Sequence, residues 1–270
     1  LPKAIIPSNS LSTKSAAKKT QSFPKIQINS IFELLKLTHM PTTELEKILF
    51  LDIETVPQVY NYKDLDETGK DLWNKKWQFN KEVPPEQHYS KAGIYAEFAK
   101  VVCIGLGYYH QKKFRVKCIA SANEKEILLQ FTQLLKTNFN TASNLLCAHN
   151  GKEFDFPFLC RRFLINNLPL PKMLQLQGLK PWNVNHIDTM DLWKFGDVKN
   201  YSSLNLLAHV LGLPSPKDDM DGSMVAKTFY EDQNLEKIEK YCKKDVITLA
   251  RVYNRFIGAG NLADDDIIFA

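Results

Sequence analysis

The stretch KILFLDIETVPQ, Lys47 to Gln58, restricts what can fold around it. Its apolar, β-branched run reads as a strand bounded by a turn. Alternate residues of a strand share a face. Asp52 and Glu54 therefore point one way, and Leu51 and Ile53 the other. Two carboxylates held together suppress each other's ionisation unless a cation sits between them. The strand either leaves solvated acids on an exposed edge or presents them to a cation.

The rest of the chain supplies a frame for that strand. Residues 57–98 read as a helical, aromatic and charged insertion. KVVCIGLGYYH and KFRVKCIA are strands joined by a polar turn, a hairpin signal. Ser121, with Glu124 three residues later, predicts a capping box at the start of a helix. The apolar face of that helix is Ile127, Leu128, Phe131, Leu134 and Leu135. NLLCAHN is a further strand, and Pro157 opens a helix running to about Ile165. A long loop leads to NHIDTMDLW, expected as a short strand, and then to helices at about 202–211, 221–231 and 235–257. The order is that of an α/β chain in which antiparallel hairpin strands feed a partly parallel sheet flanked by helices.

The net charge of +5 does not describe this body. Residues 1–40 hold six lysines and one acid, and the other 230 residues carry 29 basic and 29 acidic side chains. Charge therefore gives no argument for a basic nucleic-acid surface on the folded part. Residues 1–40 are expected to be a disordered extension, or an artefact of the gene model with Met40 as the natural start. Residues 41–270 are expected to form a single domain. No apolar run approaches the ~20 residues that span a membrane. Cys103, Cys118, Cys147, Cys160 and Cys242 are scattered, odd in number and without a C-x-x-C pair. They read as reduced thiols of a cytoplasmic protein, not as zinc ligands or a disulfide framework.

Three acidic features fall at the ends of elements, and ligands of open α/β sheets bind outside the carboxyl ends of strands. Asp52-x-Glu54 is the first. The second is HNGKEFDFPFL, in which Asp155 stands either as a helix cap or at the carboxyl edge of a neighbouring strand. The third is EKYCKKDVITLARVYNRF. There Leu235, Ile238, Cys242, Val246, Leu249, Tyr253 and Phe256 form the buried stripe of an amphipathic helix. Tyr241 and Asp245 stack one turn apart on its flank, either as a surface pair or facing the sheet edge. Lys240, Lys244, Arg251 and Arg255 are expected on its outer face.

Together the motifs D-x-E (Asp52, Glu54), N-x-x-x-F-D (Asn150, Phe154, Asp155) and Y-x-x-x-D (Tyr241, Asp245) resemble those of the DEDD superfamily of 3′→5′ exonucleases. That superfamily has a ribonuclease H-like fold. The tyrosine marks the DEDDy subclass, since Lys240 stands where the histidine subclass would have its histidine. The wording is most like that of stand-alone proteins related to the exonuclease domain of family B DNA polymerases, over residues 45–258. The resemblance implies hydrolysis at the 3′ end of single-stranded nucleic acid, DNA favoured, with two Mg²⁺ or Mn²⁺ ions as cofactors. It casts Asp52 as the ligand bridging both ions, Glu54 and Asp245 on the ion that acidifies the attacking water, and Asp155 near the other. Tyr241 would orient that water. Asn150, Phe154 and Arg162 are candidate substrate contacts. An exoribonuclease trimming RNA 3′ ends, or a binding module that has lost turnover, stays open beside this reading.

Other features carry less. Tyr60, Tyr62, Trp73, Trp77 and Phe79 alternate with lysines in the insertion, as in single-strand binders, but Trp73 and Trp77 lie four apart and are expected to pack a helix onto the body. Asp188 and Asp191 read as caps or turn acids. Gly105 and Gly107 lie inside a strand and form no phosphate loop.

Overall fold

A computed structural model describes residues 42–80, 82–199, 201–214 and 220–270. All lie in one compact unit, Thr38–Ala270. The expectation for residues 1–40 falls outside the described residues.

The opening stretch is strand β1 (Ile48–Pro57) and stands near the middle of a six-stranded sheet. On one side β1 pairs antiparallel with β2 (Ala99–His110), which pairs antiparallel with β3 (Lys113–Ala120). On the other side it runs parallel to β4 (Leu145–Ala148), which runs parallel to β5 (Ile187–Asp188). A short β6 (Ile267–Phe269) adds itself parallel to β3, giving the order β5-β4-β1-β2-β3-β6. This is the mixed sheet, flanked by helices, that a ribonuclease H-like chain requires.

After β1 the α-helices are α1 (Glu67–Trp77), α2 (Glu124–Asn138), α3 (Asp155–Ile165), α4 (Thr189–Lys194), α5 (Leu204–Val210), α6 (Val225–Tyr230) and α7 (Leu235–Phe256). The period-two pattern of β1 divides them between two faces. Leu49, Leu51 and Ile53 join Ile104, Leu106 and the apolar sides of α2 and α3 in one core. Phe50 looks the other way, onto Phe114, Val246, Leu249 and Tyr253 under α7. Asp52 and Glu54 share that second face by parity. Of the predicted stripe of α7, Ile238, Cys242, Val246, Leu249 and Tyr253 are buried, while Leu235 and Phe256 near its ends are partly buried.

Close approach of α7 to β2 depends on two glycines. A Cβ at Gly105 would stand 2.7 Å from Cys242 Sγ and 2.9 Å from Val246 Cγ2. One at Gly107 would stand 2.6 Å from Val246 Cγ1 and would overlap the Phe114 ring. A missing side chain here brings the helix that carries Tyr241 and Asp245 down onto the sheet.

Several expectations need correction. Helix α2 is capped by Asn123, which accepts from Lys125 N. Glu124 is the first residue of that helix, and its carboxylate turns inward to the Val101 N–H and Arg162, so the Ser121–Glu124 capping box does not form. NHIDTMDLW yields only two strand residues before α4 begins. Arg251 is not on an outer face. The C-terminal segment folds over it, and its guanidinium donates to Leu262 O and pairs with Asp264. β6 had no signal beyond a three-residue apolar run after three aspartates. The insertion packs as expected around Trp73, which is fully buried and donates to Pro85 O at 2.7 Å. Trp77 stacks on His88, with ring centroids 3.9 Å apart.

Candidate active site

Asp52 stands opposite Gly105, and Glu54 opposite Cys103, just before a bulge in the β1–β2 ladder. Single ligand atoms of Asp52, Glu54 and Cys242 all lie within 4.8 Å of one another. Burial is the largest influence on Asp52, followed by the charges of Glu54, Asp245 and Asp155, and together they push its carboxyl well above the ordinary range. Glu54 is pushed up by burial and then by Asp245, and a hydrogen bond with Asp52 partly offsets this. The largest charge effects on Asp52 thus come from acids. A pair of carboxyls sharing a hydrogen bond holds at least one proton in the cation-free protein.

Asp155 reaches the same region from α3. It is buried, and burial raises its carboxyl to about 7, against which it accepts from its own N–H and from that of Ile53. The second motif is thereby bonded to the first. The turn before it, at Asn150, has a left-handed backbone with φ of 60°, a conformation asparagine tolerates. Asp188 fixes this turn. Its carboxylate accepts from Asn150 N at 2.9 Å, Lys152 N at 3.0 Å and Met190 N at 2.9 Å. His149 adds bonds to Thr189 Oγ1 and Ser202 O.

Tyr241 and Asp245 come from the first half of α7. Burial, and then the charge of Asp245, raises the phenol of Tyr241 far above its usual value, with Glu54 and Asp52 acting in the same sense. Its hydroxyl hydrogen-bonds with Asp245. Burial and the surrounding acids thus favour the protonated phenol, which can donate a hydrogen bond. The five motif residues, Asp52, Glu54, Asp155, Tyr241 and Asp245, therefore act on one another across the carboxyl ends of β1 and β4 and the near face of α7. Asp155 and Asp245 stand outside the tight Asp52–Glu54–Cys242 group.

Residues 94–267 match a family profile described as a predicted 3′–5′ exonuclease related to the exonuclease domain of PolB. The chain belongs to this family. The matched span includes Asp155, Tyr241 and Asp245, while Asp52 and Glu54 precede it. Among solved structures, this PolB-related exonuclease is similar to the family B DNA polymerase of the hyperthermophilic archaeon Pyrobaculum calidifontis, at 13% identity and a TM-score of 0.49. That similarity covers 77% of this chain and 24% of the polymerase, so the chain spans about a quarter of its length. No curated protein matches the sequence significantly.

The exonuclease does not offer Arg162 to a substrate. Its side chain is 3% exposed, donates through Nε and Nη2 to Glu124 at 2.8 and 2.6 Å, and reaches Ala96 O through Nη1. In α3 it faces the sheet, whereas Arg161, one residue earlier, faces solvent and lines a cleft with Lys152, Pro157 and Leu164. Phe154 is half-buried against the α2–α3 core, its ring 5.4 Å from Phe158. Sequence reasoning gave Asp188 a capping role, which it has, but missed that the same carboxylate orders the Asn150 turn 38 residues away. It also treated the cysteines as scattered, whereas Cys103, Cys118 and Cys242 gather beside the carboxylates. Neither juxtaposition has a local sequence signal.

Among the described residues, no helix is long and apolar enough to cross a membrane.

Proposed function

We propose that this chain hydrolyses phosphodiester bonds at the 3′ ends of single-stranded nucleic acid, DNA in the first instance, using two Mg²⁺ or Mn²⁺ ions. The observation that carries this reading is the convergence of four acids drawn from β1, α3 and α7, in which burial, and then the neighbouring acids, raise the carboxyls of Asp52 and Glu54. Oxygen donors suit hard divalent cations, and an acidic cluster whose charges raise one another's proton affinity is one that a cation relieves. Asp52, Glu54, Asp155 and Asp245 would hold the ions. When bound, such ions lower the pKa of water and stabilise the departing 3′-oxygen.

The chain's own groups do the rest. Asp52 lies among the other three acids and is the shared ligand in this reading. The Ile53 N–H fixes where the Asp155 carboxylate points. Tyr241, kept protonated and engaged with Asp245, orients a water without taking its proton. Asn150 and Phe154, on the turn leading to α3, are the groups we assign to contact the terminal nucleotide. We place the enzyme in the cytoplasm, since five free cysteines suit a reducing compartment.

The test is a 3′-end assay on labelled DNA and RNA oligonucleotides with Mg²⁺ or Mn²⁺. Stepwise shortening from the 3′ end, lost in Asp52→Ala with the fold intact, is the expected result. Binding without shortening by the wild-type chain, or equal cleavage by Asp52→Ala, overturns the proposal. The ratio of DNA to RNA turnover assigns the sugar preference.

A further inference from the structure

The phosphodiester chemistry proposed above has no use for thiols, yet three of them line its edge. Cys103 and Cys118 lie on neighbouring strands, with Cys103 opposite Ala120 and Gly105 opposite Cys118. The offset is two residues, so both side chains leave the same face of the sheet. That face receives α7, and Cys242 descends onto it above Gly105, where no Cβ intervenes. The Sγ atoms of the three residues all lie within 4.8 Å of one another. Cys103 and Cys242 are fully buried, and Cys118 is partly open to solvent, which gives a route of entry.

We propose that Cys103, Cys118 and Cys242 form a binding site for a thiophilic divalent cation of the Zn²⁺ class, distinct from the carboxylate site it adjoins. With Zn–S bonds of ≈2.3 Å, a tetrahedral centre sets its sulfurs about 3.8 Å apart. The three thiols therefore need to close by only ~1 Å. Binding converts thiols to thiolates and releases their protons to solvent. A water, entering past the partly open Cys118, would complete the fourth position. Soft sulfur ligands select this cation against Mg²⁺, and the carboxylates next door select the reverse.

The two sites touch through Cys242. Its Sγ lies 3.5 Å from Asp52 Oδ2 and 3.6 Å from Asp52 O, with the thiol donating to both. Cation binding removes that donor and replaces three neutral thiols with a Zn²⁺–tris-thiolate centre of net charge −1 beside Asp52. Occupancy of the thiols is therefore coupled to the affinity of the carboxylates for their own ions, a consequence that rests on the exonuclease reading.

The binding test does not rest on it. The full chain is reduced, placed in excess Mg²⁺ and titrated with Cd²⁺. A thiolate-to-metal charge-transfer band should rise and saturate at one equivalent, and Zn²⁺ should displace it. The band should vanish in Cys118→Ser and in Cys103→Ser, and persist in Asp52→Asn. Failure of nuclease activity with the band intact would strike the functional reading alone. As a second measurement on the unaltered chain, Zn²⁺ at ~100 times its dissociation constant should slow alkylation of Cys118 about a hundredfold, because only the unoccupied fraction reacts. Alkylation of Cys160 should not change. No band at equimolar Cd²⁺, an undiminished band in Cys118→Ser, or alkylation of Cys118 indifferent to Zn²⁺ would each overturn the site.

Discussion

Asp155→Asn isolates the electrostatic burden of the clustered carboxylates. Asp155 is buried, and its carboxyl is raised from an ordinary 3.8 to about 7. The folded chain thus holds this proton more tightly than the unfolded chain. In the absence of metal, stability from this group is complete below the unfolded pKa and is lost as pH rises through the folded one. Each unit of displacement corresponds to about 1.36 kcal/mol. Between pH 5 and pH 8 the native state should lose about 3 kcal/mol through Asp155 alone, and the raised carboxyls of Asp52 and Glu54 add in the same direction. Asparagine keeps the shape, and its carbonyl oxygen can still accept from the Asp155 and Ile53 amides, but it cannot ionise. Urea unfolding in EDTA at the two pH values measures the difference. The wild-type chain should weaken at pH 8, and Asp155→Asn should recover about 3 kcal/mol of that loss. Adding Mn²⁺ at ~100 times its dissociation constant should restore about 2.7 kcal/mol to the wild type, and less to the variant. Equal wild-type stability at both pH values without metal, or a variant that weakens just as much, would refute the reasoning.

Arg162→Ala should cost about 3–5 kcal/mol of stability, because it leaves the buried Glu124 without its ion-pair partner; chemical denaturation checks this, and weaker substrate binding at unchanged stability would contradict it. Gly105→Ala drives a methyl group to 2.7 Å from Cys242 Sγ and should destabilise by about 1–3 kcal/mol. If the close approach of α7 sets the site, the same variant should also lose nuclease activity at temperatures where it remains folded, as judged by circular dichroism beside the activity assay.

Much of this molecule could be read from periodicity. The parity of β1 put Asp52 and Glu54 on one face, and the three- and four-residue spacing of α7 put Tyr241 and Asp245 on its flank. Both follow from backbone geometry that every neighbour must respect. The failures share one cause. Glu124 looked like a local capping residue and Arg162 like a free cation, because each was judged within its own helix. Their bond spans 38 residues and is made only when α2 and α3 cover the same sheet face. Arg251 was misplaced for the same reason, since the segment that buries it lies beyond the helix. The thiol cluster needed two strands and a helix in register before it existed at all. Periodicity assigns a side chain to a face, and only tertiary packing decides what else arrives there.

The Asp188 carboxylate lets a two-residue edge strand govern more than its own pairing. Amides from the Asn150 turn and from the first turn of α4 share its two oxygens, and His149 ties the same turn to Thr189 and Ser202. Residues 149–152 and 188–190 are therefore clamped into one mechanical piece. A load applied to the outer rim of the sheet would be transmitted inward to the helix start that aims Asp155, so damage at that rim should be felt where bonds are broken.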